Sequence, residues 1–282
     1  VSDGSSFARF DDSVAEAVDS IVGLSLTEAQ WTRASRGVSA GGCGLRKAER
    51  HWPAAYLASA LTTHALCKQL DPHYAENDDP LADADILRAL DAYNDALPDA
   101  RRLSASDCRA LVGSPKVQQQ LSRRLDEACL QADLEQCDAR DRAQLLSEAM
   151  DGAGSFLMST PSIVNRMAMH SDEFVCELKR RLLVDLFPHG SSCPFCTAPM
   201  DRRGDHALLC TCGGDRTRWH NRLRDLFAHL CETAGLAPEV EAEHLLIPDP
   251  EHPGQERRRP ADVLLPVWDR RQPAALDFAI TR

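Results

Sequence analysis

The chain has 282 residues, of which 43% are hydrophobic, and a formal net charge of −11. That length accommodates two domains with packed cores, and the acidic balance excludes a uniformly basic, nucleic-acid-coating protein. No run of 18 apolar residues reads as a membrane span, and no charged-then-apolar start reads as a signal peptide.

Aromatic residues are scarce at 5%. Ala and Leu dominate, which favours helix over sheet for most of the length. Residues 1–40 read as short helices, with Ser25-Leu-Thr-Glu28 as a capping box opening a helix through Trp31. Gly41-Gly42-Cys43-Gly44 reads as a flexible break. Leu45 to Leu70 reads as one or two Ala-rich helices interrupted near Pro53. After a polar loop from Asp71 to Pro80, helical spacing recurs over 81–97, 104–112 and 114–133. The last of these carries a stripe of Val117, Leu121, Leu125 and Leu130. Further helices are expected over 138–151, 160–168 and 171–187, the last with Ser171 as N-cap and Phe174, Leu178 and Leu182 on one face. This helical array, residues 1–187, offers no catalytic constellation.

Residues 188–213 are short of apolar periodicity and rich in Cys and Gly. Gly214 to Gly235 then reads as an amphipathic helix with Trp219, Leu223, Leu226, Phe227 and Leu230 on one side, and His220 and Arg224 facing away. Glu239 to Ile247 alternates as a strand. A polar loop follows over 249–259, then two more strands, Ala261 to Val267 and Ala274 to Thr281. The predicted organisation is a helical array, a knuckle at 188–213 and a small α/β unit over 214–282. Without an initial Met, and ending at Arg282 in a strand-like run, the chain reads as part of a longer protein.

Eleven cysteines, an odd number, are spread over all regions. Isolated ones such as Cys67, Cys129 and Cys176 fall in helical patterns, where a thiol behaves as a small apolar group. This points to a reducing, intracellular compartment. The cluster Cys193-x2-Cys196-x9-His206-x3-Cys210 has the ligand types and count of a closed tetrahedral zinc site, with Cys212 as a rival for the fourth place. Having no open position, that zinc is expected to fold the loop rather than to catalyse.

The two C-terminal strands carry Asp262 and Asp277. Paired as a hairpin with Asp269-Arg270 at the turn, they place Asp262 directly opposite Asp277. The same register sets Val263, Leu265 and Val267 against Leu276, Phe278 and Ile280 as an apolar layer. Two like charges at that separation repel, and a divalent cation such as magnesium relieves them; the alternative is two aspartates on a solvated sheet face. Glu241 and Glu243 are candidates for a third carboxylate.

Residues 1–190 hold 20 Lys and Arg against 29 acids, whereas 191–282 hold 12 Arg, no Lys and 14 acids. In the near-neutral part, Arg216, Arg218, Arg222 and Arg224, with His220, form one group, and Arg257, Arg258 and Arg259 another. Arg-only usage suits bidentate phosphate contacts; the alternative is a solvated helix face and loop.

Taken in order, the Cys-Cys-His-Cys knuckle, Arg218-Trp-His220-Asn221-Arg222, Glu239-Val-Glu241-Ala-Glu243, Arg-Pro-Ala-Asp262-Val and Ala-Leu-Asp277-Phe-Ala-Ile-Thr resemble the C-terminal part of non-LTR (LINE-type) retrotransposon polyproteins with a restriction-like endonuclease. Trp31, Gly41-Gly42-Cys43-Gly44-Leu45-Arg46 and Ala54-Ala55-Tyr56-Leu57-Ala58 are similar to the segment after the polymerase core of such elements. The resemblance implies an α + α/β fold: a helical post-polymerase linker, a zinc knuckle and a truncated PD-(D/E)xK endonuclease-like domain. It implies magnesium at Asp262 and Asp277, DNA and element RNA as partners, and action in the nucleus. Asp262 is preceded by Ala261 rather than Pro, and the Lys expected after the second acid is Ala279. In the family the basic residue is thought to come from a later helix, which here would lie beyond Arg282. No Tyr/Phe-x-Asp-Asp polymerase signature is present. Two rival readings remain open: a zinc-stabilised nucleic-acid-binding module without catalysis, and a decayed element remnant.

Overall fold

Ala and Leu at helical spacing build eleven α-helices among the described residues, and the sheet comes late and small. The computed structural model describes residues 4–71, 73–74, 79–164, 168–213, 215–243, 245 and 260–279. The chain divides into two compact units, Val1–Thr160 with Ser171–Val184, and Pro161–His170 with Asp185–Arg282. No helix among the described residues is long and apolar enough to cross a membrane.

The first unit contains α1 (Gly4–Val22), α2 (Glu28–Ser35), α3 (Ala48–Leu70), α4 (Ala84–Asp95), α5 (Ala105–Ala110), α6 (Val117–Gln136), α7 (Ala139–Glu148), α8 (Ser155–Met158) and α9 (Ser171–Arg181). No strand occurs there among the described residues. Leu57 and Leu61 of α3, Ile86 and Tyr93 of α4, and Val117, Leu121 and Leu125 of α6 form its main core. The one polar atom Tyr93 brings inside is satisfied, its hydroxyl donating to the Leu121 carbonyl at 2.9 Å.

Several expectations need correction here. Residues 4–22 form a single helix of 19 residues rather than short pieces. The capping box of α2 is Thr27 with Gln30, not Ser25 with Glu28; Ser25 instead donates to Asp19 at 2.9 Å. Pro53 lies inside α3 without interrupting it. Burial of Pro53, Ala54 and Leu57 outweighs one missing backbone bond. The helix expected over 160–168 is absent at its described positions, and the short α8 ends before them at Met158. Pro161 disfavours helical backbone in Thr160 before it, and 165–167 lie outside the described residues. Ser171 is the first residue of α9 rather than its cap.

The glycine segment is a packed turn, not a flexible break. Cys43 N–H donates to the Ala34 carbonyl at 3.0 Å. Arg181, wholly buried, donates from Nε to the Gly42 carbonyl at 2.9 Å and from Nη2 to the Val38 carbonyl at 2.7 Å. Its charge is met by Glu148 at 2.8 Å.

The second unit contains α10 (Asp205–Leu209), α11 (Asp215–Thr233), β1 (Glu239–Val240), β2 (Val263–Leu265) and β3 (Ala274–Leu276). The sheet is antiparallel in the order β1-β2-β3. Val263 pairs with Leu276, Leu264 with Ala275 and Leu265 with Ala274, the register expected from the apolar alternation. Val263 and Leu265 pack with Ala228 and Cys231, and Phe227 and Phe278 close the layer.

The helix therefore covers the apolar face, but with only part of the expected stripe: Phe227 packs there. Trp219, Leu223 and Leu230 are 49%, 42% and 36% exposed. Small Ala228 and Cys231 admit the sheet at closer range than a leucine stripe allows. Two other expectations shorten. β1 ends at Val240, because Glu241 has left-handed backbone at φ +52°. Val267 is exposed, so the apolar layer stops short of it. Residues 246–259 and 280–282 lie outside the described residues, and with them Ile247, Ile280 and Thr281.

The turn in the first unit yields a direct test. A Cβ on Gly42 would stand 2.2 Å from the Arg36 carbonyl oxygen and 2.7 Å from that of Arg33, both backbone atoms. Gly42→Ala is expected to destabilise this unit by about 3 kcal/mol or more in urea unfolding. A loss under about 0.5 kcal/mol, typical of surface changes, would contradict the packing described.

Candidate functional site

Two groups of functional side chains lie in the second unit. The first is built on a short knuckle. Thr197 turns it with a left-handed φ of 59°, Cys193 N–H donates to the Ala198 carbonyl at 2.8 Å, and Thr197 N–H returns to the Cys193 carbonyl at 3.0 Å. Ser192 and Pro199 close it with an antiparallel bridge. Of the remaining two ligands, His206 lies on α10 and Cys210 immediately follows it. Asp201 starts that helix by accepting from Asp205 N–H at 2.9 Å and His206 N–H at 2.6 Å.

Cys193, Cys196, His206 and Cys210 converge, their ligand atoms all within 4.8 Å of one another. Cys193 Sγ lies 3.7 Å from Cys210 Sγ, and Cys196 Sγ lies 3.1 Å from His206 Nε2. A tetrahedron with metal–sulfur bonds of about 2.3 Å has sulfur–sulfur edges of about 3.8 Å, so this group can hold a metal ion. Among the described residues it is the group of three or more such ligands gathered this closely. Cys212, the rival, is exposed and outside it. The Cys193 thiol is pulled down to about 6, chiefly by the backbone N–H groups of Cys196 and Phe195, which favour a thiolate ready to ligate.

The second group sits where the sheet ends. The β2–β3 ladder ends at the Val263–Leu276 pair, and Asp262 and Asp277 each lie one residue outside it. Asp262 N–H donates to the Leu276 carbonyl at 2.9 Å. Its carboxylate accepts from Phe278 N–H at 2.6 Å and lies 3.1 Å from His220 Nε2 of α11. Burial raises the Asp262 carboxyl, but the Phe278 N–H, the His220 charge and hydrogen bond, and a hydrogen bond with Asp277 together hold it below its ordinary value. The two aspartates are thus in hydrogen-bonding reach.

The acids of the preceding strand behave differently from a simple third ligand. Glu241 N–H donates to the Asp262 carbonyl at 2.9 Å, while its carboxylate turns to Arg224 of α11. His220 and Arg224, one turn apart on the helix, therefore both reach the sheet's acidic end. Glu243 is half-buried. Arg216, Arg218 and Arg222 are exposed, with the Arg222 guanidinium over the Trp219 ring at 5.6 Å. Arg257, Arg258 and Arg259 lie outside the described residues. Asp201 went unnoticed in the sequence, although an Asp shortly before a Gly-Asp-His segment is a helix-start signal. Compared with family models, with curated proteins and with solved structures, the chain matches none.

Two measurements follow from this geometry. Protein purified without chelator is expected to carry about one equivalent of metal by mass spectrometry. Cys193→Ser should lose it, and Cys212→Ser should keep it; loss in Cys212→Ser would put the fourth ligand elsewhere. Asp262 provides the second. Its folded value is depressed, so its stabilisation is complete above the unfolded value of about 3.9 and is lost as pH falls through the folded value. Below about pH 4 the stability of the wild type should therefore fall with acid more steeply than that of Asp262→Asn. Equal slopes would mean the carboxylate is not held as described.

Proposed function

We propose that the second unit is the zinc knuckle and partial endonuclease core of a retrotransposon protein, whose intact form nicks target DNA to prime reverse transcription. The observation that carries this reading is the Asp262 carboxylate at the sheet's end, held by the Phe278 N–H and His220 with Asp277 in reach. The Cys-Cys-His-Cys group gathered in the same unit supports it.

In this reading Cys193, Cys196, His206 and Cys210 hold zinc. With all four positions supplied by the protein, the ion has a structural role, since the loop contributes little core of its own. Asp262 and Asp277 hold magnesium. When bound, that ion activates water and stabilises charge on the phosphate undergoing cleavage. His220 and the Phe278 N–H fix the Asp262 carboxylate in place. Arg224 holds Glu241 beside it, and the exposed Arg216, Arg218 and Arg222 offer contacts to the DNA backbone.

The rival reading is a nucleic-acid-binding module without catalysis. It draws on Ala279, which stands where the family pattern places a Lys, and on the exposed arginines of α11. A nicking assay of the intact, longer protein on supercoiled DNA with magnesium or manganese separates the two. Cleavage lost in both Asp262→Ala and Asp277→Ala supports the nuclease. Cleavage surviving both would place the chemistry elsewhere. DNA binding without cleavage, unchanged by either substitution, would favour the binding module.

A further inference from the structure

The first unit holds a buried guanidinium that has one ion pair but no hydrogen bond among the described residues. Arg36 is 2% exposed, and none of its three guanidinium nitrogens has a hydrogen-bond partner. Its Nη1 lies 3.3 Å from Asp133, but that carboxylate already accepts from Arg33 Nε at 2.8 Å. Arg181, equally deep, shows the usual solution: three backbone carbonyls and a carboxylate. Five buried N–H donors without acceptors carry a large desolvation cost. Such an orphaned group calls for an explanation, an unseen ion among them.

The surroundings say which kind. Arg36 lines a small cavity of about 20 Å³, together with Arg46, Lys47, Arg50, His51 and Asp126. That volume admits about one oxygen-sized atom. Four of these residues are cations against one carboxylate, on a chain of net charge −11. The carboxylate is already engaged, since Asp126 accepts from Arg46 Nη2 at 2.8 Å and again from Nη1. Lys47 reaches only the largely exposed Glu28. Arg50 is partly exposed and makes no ion pair among the described residues. His51 is kept below its ordinary value by burial and then by the Arg46 charge, so it adds no positive charge at neutral pH.

We propose that this cavity is a phosphate-binding site, with Arg36 as its buried anchor and Arg50 and Lys47 as partly exposed partners. One phosphate oxygen enters beside Arg36, and the others stay outward. A tetrahedral group carrying up to two charges suits cations on several sides better than a planar, singly charged carboxylate does. The phosphate is either a free ion or part of a nucleic-acid strand. This site is separate from the acidic and cysteine groups and does not depend on the nuclease reading.

Calorimetry and thermal unfolding of the full chain test it, using inorganic phosphate against chloride at matched ionic strength. Binding should appear with phosphate and weaken about tenfold or more in Arg50→Ala, the effect of losing one charged hydrogen bond. Arg36→Met should abolish it; Arg50→Ala, at a partly exposed position, keeps the test open where the buried variant does not fold. A single-stranded oligonucleotide that competes with phosphate assigns the site to a strand backbone, and one that does not assigns it to the free ion. No phosphate binding beyond chloride would overturn the proposal. So would binding that Arg50→Ala leaves unchanged.

Discussion

Val263 and Leu265 are completely buried against α11, and the geometry of the second unit depends on that layer. A sheet repeats every two residues, so slipping β2 by one against β3 would turn these side chains to the other face. Their burial removes that freedom. It also decides where the acids go, because Asp262 and Asp277 each stand one residue outside the Val263–Leu276 pair. There the Asp262 carboxylate is held by hydrogen bonds from the Phe278 N–H and His220.

The knuckle works on the opposite logic. Of its four ligands Cys193 and Cys210 are buried, yet the segment around them has few apolar neighbours. Backbone hydrogen bonds across Cys193–Ala198 and the Asp201 cap on α10 place the ligands. What brings them together is local and polar, which is why a metal is the natural closing contact for a segment too small to bury a core.

The first unit handles buried charge in two ways. Arg181 ties together three segments, at Val38, at Gly42 and at Glu148, and so converts a flexible-looking glycine stretch into a fixed turn. Gly154 makes room for that guanidinium, since a Cβ there would stand 2.8 Å from its Nη2. Arg36 is buried as deeply without such partners. The contrast between the two carries the anion site, because the same fold shows it can satisfy an arginine where it needs to.

Much of the local organisation was legible from the chain. Helical spacing before residue 187, the Cys and His spacing and the two-residue alternation around Asp262 and Asp277 are all short-range signals, and short-range signals survive in a single sequence. The tertiary structure decided the rest. Residues 215–233 carry two usable stripes. The sequence reading turns the stripe of Trp219, Leu223, Leu226, Phe227 and Leu230 inward; the sheet takes only Phe227 of it, together with His220, Arg224, Ala228 and Cys231. Hydrophobicity ranks the first stripe higher; close approach and two polar contacts select the second. Likewise nothing near Gly42 announces Arg181, which lies 139 residues away and satisfies its carbonyl, and nothing near Arg36 announces that its donors go unmet. Sequence spacing determines which residues can share a turn or a strand face. Which distant groups meet, and which buried donors are left without a hydrogen bond, is settled only when the elements pack.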